Sequence, residues 1–111
     1  MAGKKTILLG ITGGIAAYKA AGLASALTKR NYNVLPVLTK GACEFISPLT
    51  FTAVTGNKAL TQLFDSGIEP EIAHIALAKQ ADLVLIAPAS ADVLAKLANG
   101  IADDLLTSAV L

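Results

Sequence analysis

The sequence predicts an α/β protein in three layers (α/β/α), built on a doubly wound parallel sheet with helices on both faces. Short apolar runs alternate along the chain with segments of helical periodicity. The first apolar run ends in a Thr-Gly-Gly turn at 12–14, and a helical pattern follows at once. A later run, at 81–87, is apolar enough to be covered on both faces of a sheet.

The first predicted unit is a strand at 6–9, a helix at 15–29 and a second strand at 34–38. Alanines at near-helical spacing mark the buried side of the helix. A strand–helix–strand unit of this length makes the two strands parallel, with a right-handed crossover. The turns at the carboxyl ends of such strands open into one crevice, where ligands bind.

The remaining chain continues the alternation. After a loop at 39–41 we expect a short helix at 42–46 and a further helix begun by Ser47 and Pro48 and ended at 56–57. A polar surface connection at 61–69, a helix at 70–79, the strand at 81–87, a turn at 88–90 and a helix at 91–98 follow. Asn99 and Gly100 are typical of a left-handed helix end, and 103–111 resembles the start of another helix.

Composition narrows the possible functions. A length of 111 residues suits one domain. Because 54% of the residues are hydrophobic and only 15% are charged, we expect some apolar surface to be used for subunit contacts. A net charge of +1 without a basic stripe gives little support for nucleic-acid binding, and no apolar run approaches the roughly 18 residues of a membrane span. The one cysteine, Cys43, excludes an internal disulfide and fits a reducing cytoplasm, and one Cys with one His argues against structural zinc.

The Thr-Gly-Gly turn is the first candidate binding element. Glycines let the backbone bend and let a ligand approach it closely. The N–H groups and dipole of the following helix favour an anion there. A tight turn without any ligand explains the pattern equally well, and the spacing is neither a dinucleotide fingerprint nor a P-loop.

Several segments together resemble the flavin-containing cysteine decarboxylases, and the coenzyme A branch of that family most. In order, the segments are 10–19 (GITGGIAAYK), 38–42 (LTKGA), 45–51 (FISPLTF), His74-Ile75 with 81–83 (ADL), 87–92 (APASAD) and 98–107 (ANGIADDLLT). Each segment alone is a weak signal, whereas the whole set in this order is specific. The resemblance extends over nearly the entire chain.

This resemblance implies a flavodoxin-like fold, bound FMN, and assembly as trimers or multiples of trimers. It also implies that the flavin oxidises a cysteinyl substrate before carbon dioxide leaves. In the coenzyme A branch, 4'-phosphopantothenoylcysteine becomes 4'-phosphopantetheine, whereas the peptide-modifying branch releases the enethiol. A lantibiotic-type peptidyl-cysteine decarboxylase, a flavin prenyltransferase-like enzyme and a non-catalytic FMN-binding regulatory subunit remain alternatives.

By the same resemblance, FMN contacts come from three turns. The residues are Gly13, Gly14 and Ile15 in the first turn, Thr39, Lys40 and Gly41 in the second, and Ser90, Ala91, Asp92 and Val93 in the third. Ser90 also suits a plain helix N-cap. Asp92 and Val93 replace the Asn-Thr of a related motif, and we interpret this difference as a mark of the coenzyme A branch.

His74, the only histidine, falls at the position of the catalytic histidine of these enzymes. An imidazole exchanges protons near neutral pH and can act as a base toward the cysteinyl substrate, although a lone histidine also serves as a surface or packing residue.

Cys43 is interpreted as a packing residue. The family's substrate-binding asparagine, reducing cysteine and lid correspond to positions after Leu111, so we expect residues 1–111 to be the N-terminal portion of one flavoprotein domain and unable to complete turnover alone.

Overall fold

Parallel strands flanked by helices make up the computed structural model, which describes residues 4–14, 16–61, 81–87, 91–101 and 106. The strands are β1 (Thr6–Ile11), β2 (Asn33–Leu38) and β3 (Leu83–Ile86). The helices are α1 (Ala17–Lys29), α2 (Pro48–Thr55) and α3 (Ala91–Ala98), and a short 3-10 helix spans Ala42–Glu44. None of these described helices has the length and apolarity needed to cross a membrane.

The strands form a parallel sheet in the order β2-β1-β3. Strand β1 is central, and it pairs Ile11 with Leu38 of β2 and Gly10 with Ile86 of β3. The chain therefore moves to one side of β1 to form β2 and to the other side to form β3. This order matches the start of the flavodoxin-like arrangement, in which ligands bind where the direction reverses. The predicted fold class and the parallel pairing are confirmed.

One face of the sheet packs against α1 and α2. Alternate residues of β1 and β2 point to this face because side chains alternate along a strand. They pack with the alanine stripe of α1 and with Phe51 of α2, which is completely buried. The buried members of this cluster are Leu9, Ile11, Ala17, Ala20, Ala24, Val34, Leu38, Ala42, Phe51 and Ala59. Small alanines on α1 let the helix lie close to the sheet.

The opposite face carries a smaller core cluster. Leu8 of β1 and Val37 of β2 pack with Leu106, and all three side chains are buried. Gly10 belongs to this face, and a Cβ atom built on it would lie 2.6 Å from Cδ1 of Leu106. Apolar side chains therefore pack on both faces of the sheet near its centre, as a doubly wound fold requires.

A polar network joins the strands at their amino ends. The backbone N–H of Thr6 donates to Oδ2 of Asp82 at 2.7 Å, and the N–H of Asp82 donates to the Thr6 carbonyl at 2.8 Å. Nδ2 of Asn33 donates to Oγ1 of Thr6 at 3.2 Å, and Nδ2 of Asn57 donates to Oδ1 of Asn33 at 2.9 Å and to the Val34 carbonyl. These bonds tie both outer strands to β1 and fix the end of the sheet opposite the predicted crevice.

Local sequence signals set the helix ends. Ser47 caps α2 by accepting from the N–H of Leu49 at 3.3 Å, and Pro48 is its first residue. Gly56 and Gly100 follow α2 and α3 with φ values of 77° and 70°. Glycine adopts this left-handed conformation without a steric penalty, so both predicted helix ends are confirmed.

Strand boundaries differ from the sequence predictions. Strand β1 continues to Ile11, beyond the predicted 6–9, because Gly10 and Ile11 remain paired with β2. Strand β3 is shorter than 81–87, and its Leu83 and Val84 are 56% and 40% exposed, so the expected cover on both faces is wrong for them. Among the described residues β3 pairs with β1 alone. The predicted helix at 70–79, most of the connection at 61–69 and most of 103–111 lie outside the described residues.

Candidate functional site

The carboxyl ends of the strands meet at one edge of the sheet. The pairing of Ile11 with Leu38 places the turns at 12–14 and 39–41 side by side. The pairing of Gly10 with Ile86 brings the end of β3 to the other side of the first turn. The N–H of Ala87 donates to the Gly10 carbonyl at 2.9 Å, so the chain leaves β3 beside β1. The predicted convergence of the first two turns is therefore confirmed.

The first two turns touch through their glycines. A Cβ atom built on Gly13 would lie 3.2 Å from the carbonyl carbon of Gly41, and one built on Gly41 would lie 3.6 Å from Cα of Gly13. Backbone thus packs on backbone with no side chain between the turns. A side chain on Gly13 would push the two turns apart by a few tenths of an ångström.

Position 14 requires a glycine for a different reason. Gly14 has a φ of 146°, which L-residues rarely adopt, although a Cβ atom on it would meet no atom within 4 Å. The carbonyl of Gly14 accepts from the N–H of Ala17 at 3.0 Å, so the turn leads directly into α1. Ala16 at the N-cap offers no side-chain hydrogen bond, and the first turn of α1 contains no acid. An open, uncapped helix start of this kind favours an anionic ligand.

Thr39 holds the second turn in shape. Its Oγ1 accepts from the N–H of Ala42 at 3.2 Å, and its own N–H donates to the Ile11 carbonyl at 3.0 Å. The carbonyl of Thr39 accepts from the N–H of Cys43 at 3.3 Å. Thr12, at the start of the first turn, is also buried. Lys40, in contrast, is exposed at the rim of the crevice.

The third predicted turn is described only from Ala91 onward. The backbone of Ala91, Asp92 and Val93 forms the first turn of α3. Ile15, His74 and Ser90 lie outside the described residues. Their predicted roles therefore stay predictions.

Cys43 lies on the 3-10 helix behind the second turn. It is half-buried and packs against the core cluster formed by the sheet, α1 and α2. This environment is that of a small apolar packing residue, as the sequence predicts.

Cavities lie at both edges of the sheet. An apolar cavity of about 290 Å³ lies next to the carboxyl edge, between α1 and the end of β3, with Lys19 in its lining. A larger one of about 550 Å³ lies toward the amino edge, where Thr6 and Asp82 line it together with Leu27. The larger cavity is therefore at the opposite end from the glycine turns, and the smaller one adjoins them.

Sequence reasoning identified the glycine turns but not two features of the site. The contact between Gly13 and Gly41 joins residues that are distant in the sequence, so no local pattern reveals it. The cavity beside Lys19 is formed by residues around α1 and by Ala87 after β3, so no local sequence pattern indicates it either.

The chain belongs to the family described as Flavoprotein, whose sequence pattern it matches over residues 1–111. The coenzyme A biosynthesis bifunctional protein CoaBC of Vibrio vulnificus is 54% identical over 111 residues, which are 100% of this chain and 27% of that protein. The probable phosphopantothenoylcysteine decarboxylase of Streptococcus mutans is 50% identical over 107 residues, which are 96% of this chain and 60% of that protein. This chain therefore spans about a quarter of the bifunctional relative.

A solved structure supports the same classification. The crystal structure of the FMN-dependent cysteine decarboxylase SpaF superimposes with a TM-score of 0.85 at 33% sequence identity. The match covers 96% of this chain and 61% of that one. The resemblance found in the sequence and the predicted flavodoxin-like fold are confirmed.

Proposed function

We propose that this chain supplies the FMN-binding turns of a phosphopantothenoylcysteine decarboxylase, which converts 4'-phosphopantothenoylcysteine to 4'-phosphopantetheine in coenzyme A biosynthesis. The observation that carries this proposal is the backbone contact between Gly13 and Gly41 at the carboxyl edge of the sheet. It creates a surface without side chains at the point where ligands of parallel sheets bind. Membership of the Flavoprotein family and the names of the relatives supply the chemistry.

The described residues fit FMN. The open space at Gly14 and the uncapped start of α1 suit the phosphate group, because backbone N–H groups and the helix dipole favour an anion. The turn at 39–41, held by Thr39, suits a second contact to the cofactor. We assign FMN binding to Gly13, Gly14, Ile15, Thr39, Lys40, Gly41, Ser90, Ala91, Asp92 and Val93.

Within this proposal the chain's own residues orient the reactants and move a proton. FMN, when bound, would supply a two-electron oxidation that lets the cysteinyl carboxylate leave as carbon dioxide, and it would return the two electrons to the resulting enethiol to give 4'-phosphopantetheine. His74 accepts a proton from the cysteinyl group of the substrate, since imidazole exchanges protons near neutral pH. The glycine turns would bring backbone, and no side chain, against the cofactor.

The proposal also covers the oligomeric state of the protein and its cellular compartment. We infer a homo-oligomer, a trimer or a multiple of trimers, that acts in the cytoplasm. The sequence is 54% hydrophobic, and large apolar side chains are exposed within the described residues, among them Tyr18, Phe45 and Leu49. Apolar surface of this extent favours contacts between subunits.

A peptidyl-cysteine decarboxylase is the second candidate. The superposition on SpaF, which is named an FMN-dependent cysteine decarboxylase, has a TM-score of 0.85 and favours cysteine decarboxylation without naming a coenzyme A substrate. Both candidates need the same cofactor turns, so they differ in the substrate accepted. The identity of 50% or more to coenzyme A proteins makes the first candidate the better supported one.

The test uses the full-length protein. We expect the purified wild type to show a structured flavin absorption band and to release carbon dioxide from 4'-phosphopantothenoylcysteine. The His74→Asn variant should keep the flavin band and lose at least about 100-fold in rate, because general base catalysis contributes about that much.

Each outcome of this test has a distinct meaning. A colourless wild type that takes up no added FMN would refute the cofactor assignment. A yellow protein that acts on a peptide ending in cysteine and not on 4'-phosphopantothenoylcysteine would establish the second candidate. An unchanged rate in His74→Asn would remove His74 from the mechanism.

A further inference from the structure

Among the described residues, one lysine lines the apolar cavity beside the crevice. The cavity volume is about 290 Å³, and the described residues that line it are Ala16, Lys19, Ala20, Leu23 and Ala87. Ala16 precedes α1 directly, Lys19, Ala20 and Leu23 belong to its first half, and Ala87 follows β3. Lys19 is exposed and is the only charged residue of this lining within the described part of the chain. The described lining of the cavity is thus mainly apolar, and Lys19 contributes its one charged side chain.

The charge of Lys19 does not benefit its own helix. Lys19 lies in the first turn of α1, where the positive end of the helix dipole disfavours a cation, whereas Lys29 in the last turn is favoured. The sequence of α1 contains no Asp or Glu that could pair with either lysine. The positive charge of Lys19 is therefore available to a group that comes from outside the helix.

The substrate of the proposed function has the complementary chemistry. In 4'-phosphopantothenoylcysteine, the carbon that bears the phosphate is bonded to a quaternary carbon with two methyl groups. A cation in the protein would bind the phosphate, and an apolar surface next to it would bind the two methyl groups. Lys19 and the apolar lining of the cavity provide these two features. In the proposed function the cofactor phosphate occupies the open turn at Gly14, which leaves Lys19 for the substrate.

We propose that Lys19 binds the 4'-phosphate of the substrate at the mouth of this cavity and makes the enzyme specific for the phosphorylated substrate. This inference rests on the proposed function. Lys19 is a specificity residue in this scheme: it holds the end of the substrate that is remote from the cysteine and takes no part in the decarboxylation chemistry.

The test compares two substrates in full-length protein. The wild type, Lys19→Gln, Lys19→Arg and the control Lys29→Gln are assayed with 4'-phosphopantothenoylcysteine and with pantothenoylcysteine, which lacks the phosphate. Lys19→Gln should lower kcat/KM for the phosphorylated substrate about tenfold, mainly through KM, as expected for the loss of a hydrogen bond between charged groups. The same variant should leave kcat/KM for pantothenoylcysteine unchanged and keep the flavin band. Lys19→Arg should restore most of the preference, and Lys29→Gln should match the wild type.

Other outcomes overturn the proposal. Equal losses on both substrates would mean that Lys19 does not recognise the phosphate. Loss of the flavin band in Lys19→Gln would mean that Lys19 binds the cofactor. Unchanged kinetics would mean that the Lys19 side chain contacts only solvent. A wild type that decarboxylates neither compound would refute the proposed function itself, and the role of Lys19 with it.

Discussion

At the residue scale, the glycines of the first turn have separate tasks. Gly13 is needed for space, because the backbone of Gly41 lies against it, and Gly14 is needed for its φ of 146°. The sequence predicts a glycine-dependent turn here, since Thr-Gly-Gly follows an apolar run. It does not predict which glycine meets another part of the chain, because that contact depends on how β1 and β2 are paired.

The crowding at Gly13 leads to a prediction for flavin binding. In Gly13→Ala, the new Cβ atom would lie 3.2 Å from the carbonyl carbon of Gly41, so the two turns must separate by a few tenths of an ångström. We expect FMN to bind about tenfold more weakly, which corresponds to about 1.4 kcal/mol. Fluorescence titration of the flavin-free, full-length protein with FMN measures this change.

Gly22 provides the matched control for the same substitution. It lies on the exposed side of α1, and a Cβ atom there would meet no atom within 4 Å. Gly22→Ala should therefore stabilise the protein by up to about 1 kcal/mol through helix propensity and leave FMN affinity unchanged. Wild-type affinity in Gly13→Ala would show that the contact between the turns is irrelevant to the cofactor.

At the element scale, local signals were sufficient for helix ends and insufficient for strand ends. Ser47, Pro48 and Gly56 define α2 through their own side chains and backbone preferences, so the sequence alone predicts where it begins and ends. The sequence predicts too early an end for β1, because glycine is unfavourable inside a strand. Pairing with Val37 and Ile86 on its two sides keeps Gly10 in the strand. Strand ends depend on partners that are distant in the sequence.

The position of Gly10 inside β1 predicts a packing effect. In Gly10→Ala the Cβ atom would lie 2.6 Å from Cδ1 of Leu106, which is buried on the second face of the sheet. The leucine must move, and overpacking of this kind costs about 1–3 kcal/mol of unfolding free energy. Leu106→Ala alone should cost about 2–5 kcal/mol because it leaves a cavity.

The combined variant tests whether these two effects share one cause. In Gly10→Ala/Leu106→Ala, the added methyl group occupies part of the space that the leucine leaves. The loss of unfolding free energy in the double variant should therefore be clearly smaller than the sum of the single losses. Urea denaturation of full-length protein measures all three values. Strict additivity would mean that Gly10 and Leu106 do not touch.

At the scale of the whole molecule, the two ends of the sheet are built differently. Hydrogen bonds among Asp82, Thr6, Asn33 and Asn57 fix the amino edge, whereas glycine turns leave the carboxyl edge open. The alternation of strands and helices predicts the fold class, and the rule for parallel sheets predicts which edge binds ligand. Neither predicts that Leu83 and Val84 of β3 are exposed, because exposure depends on the neighbours of β3.

The apolar surface leads to a prediction about assembly. Large side chains that normally avoid water are exposed in the described residues, with Leu49 at 72%, Tyr18 at 59% and Phe45 at 50%. With 15% charged residues in the sequence, few charges are available to keep such a surface solvated. We expect light scattering on the full-length protein to give three times the protomer mass, or a multiple of three. Because apolar contacts are not screened by salt, this mass should persist in about 1 M sodium chloride. Dissociation by salt would indicate charged interfaces instead, and a monomer that retains FMN at micromolar concentration would refute the proposed assembly.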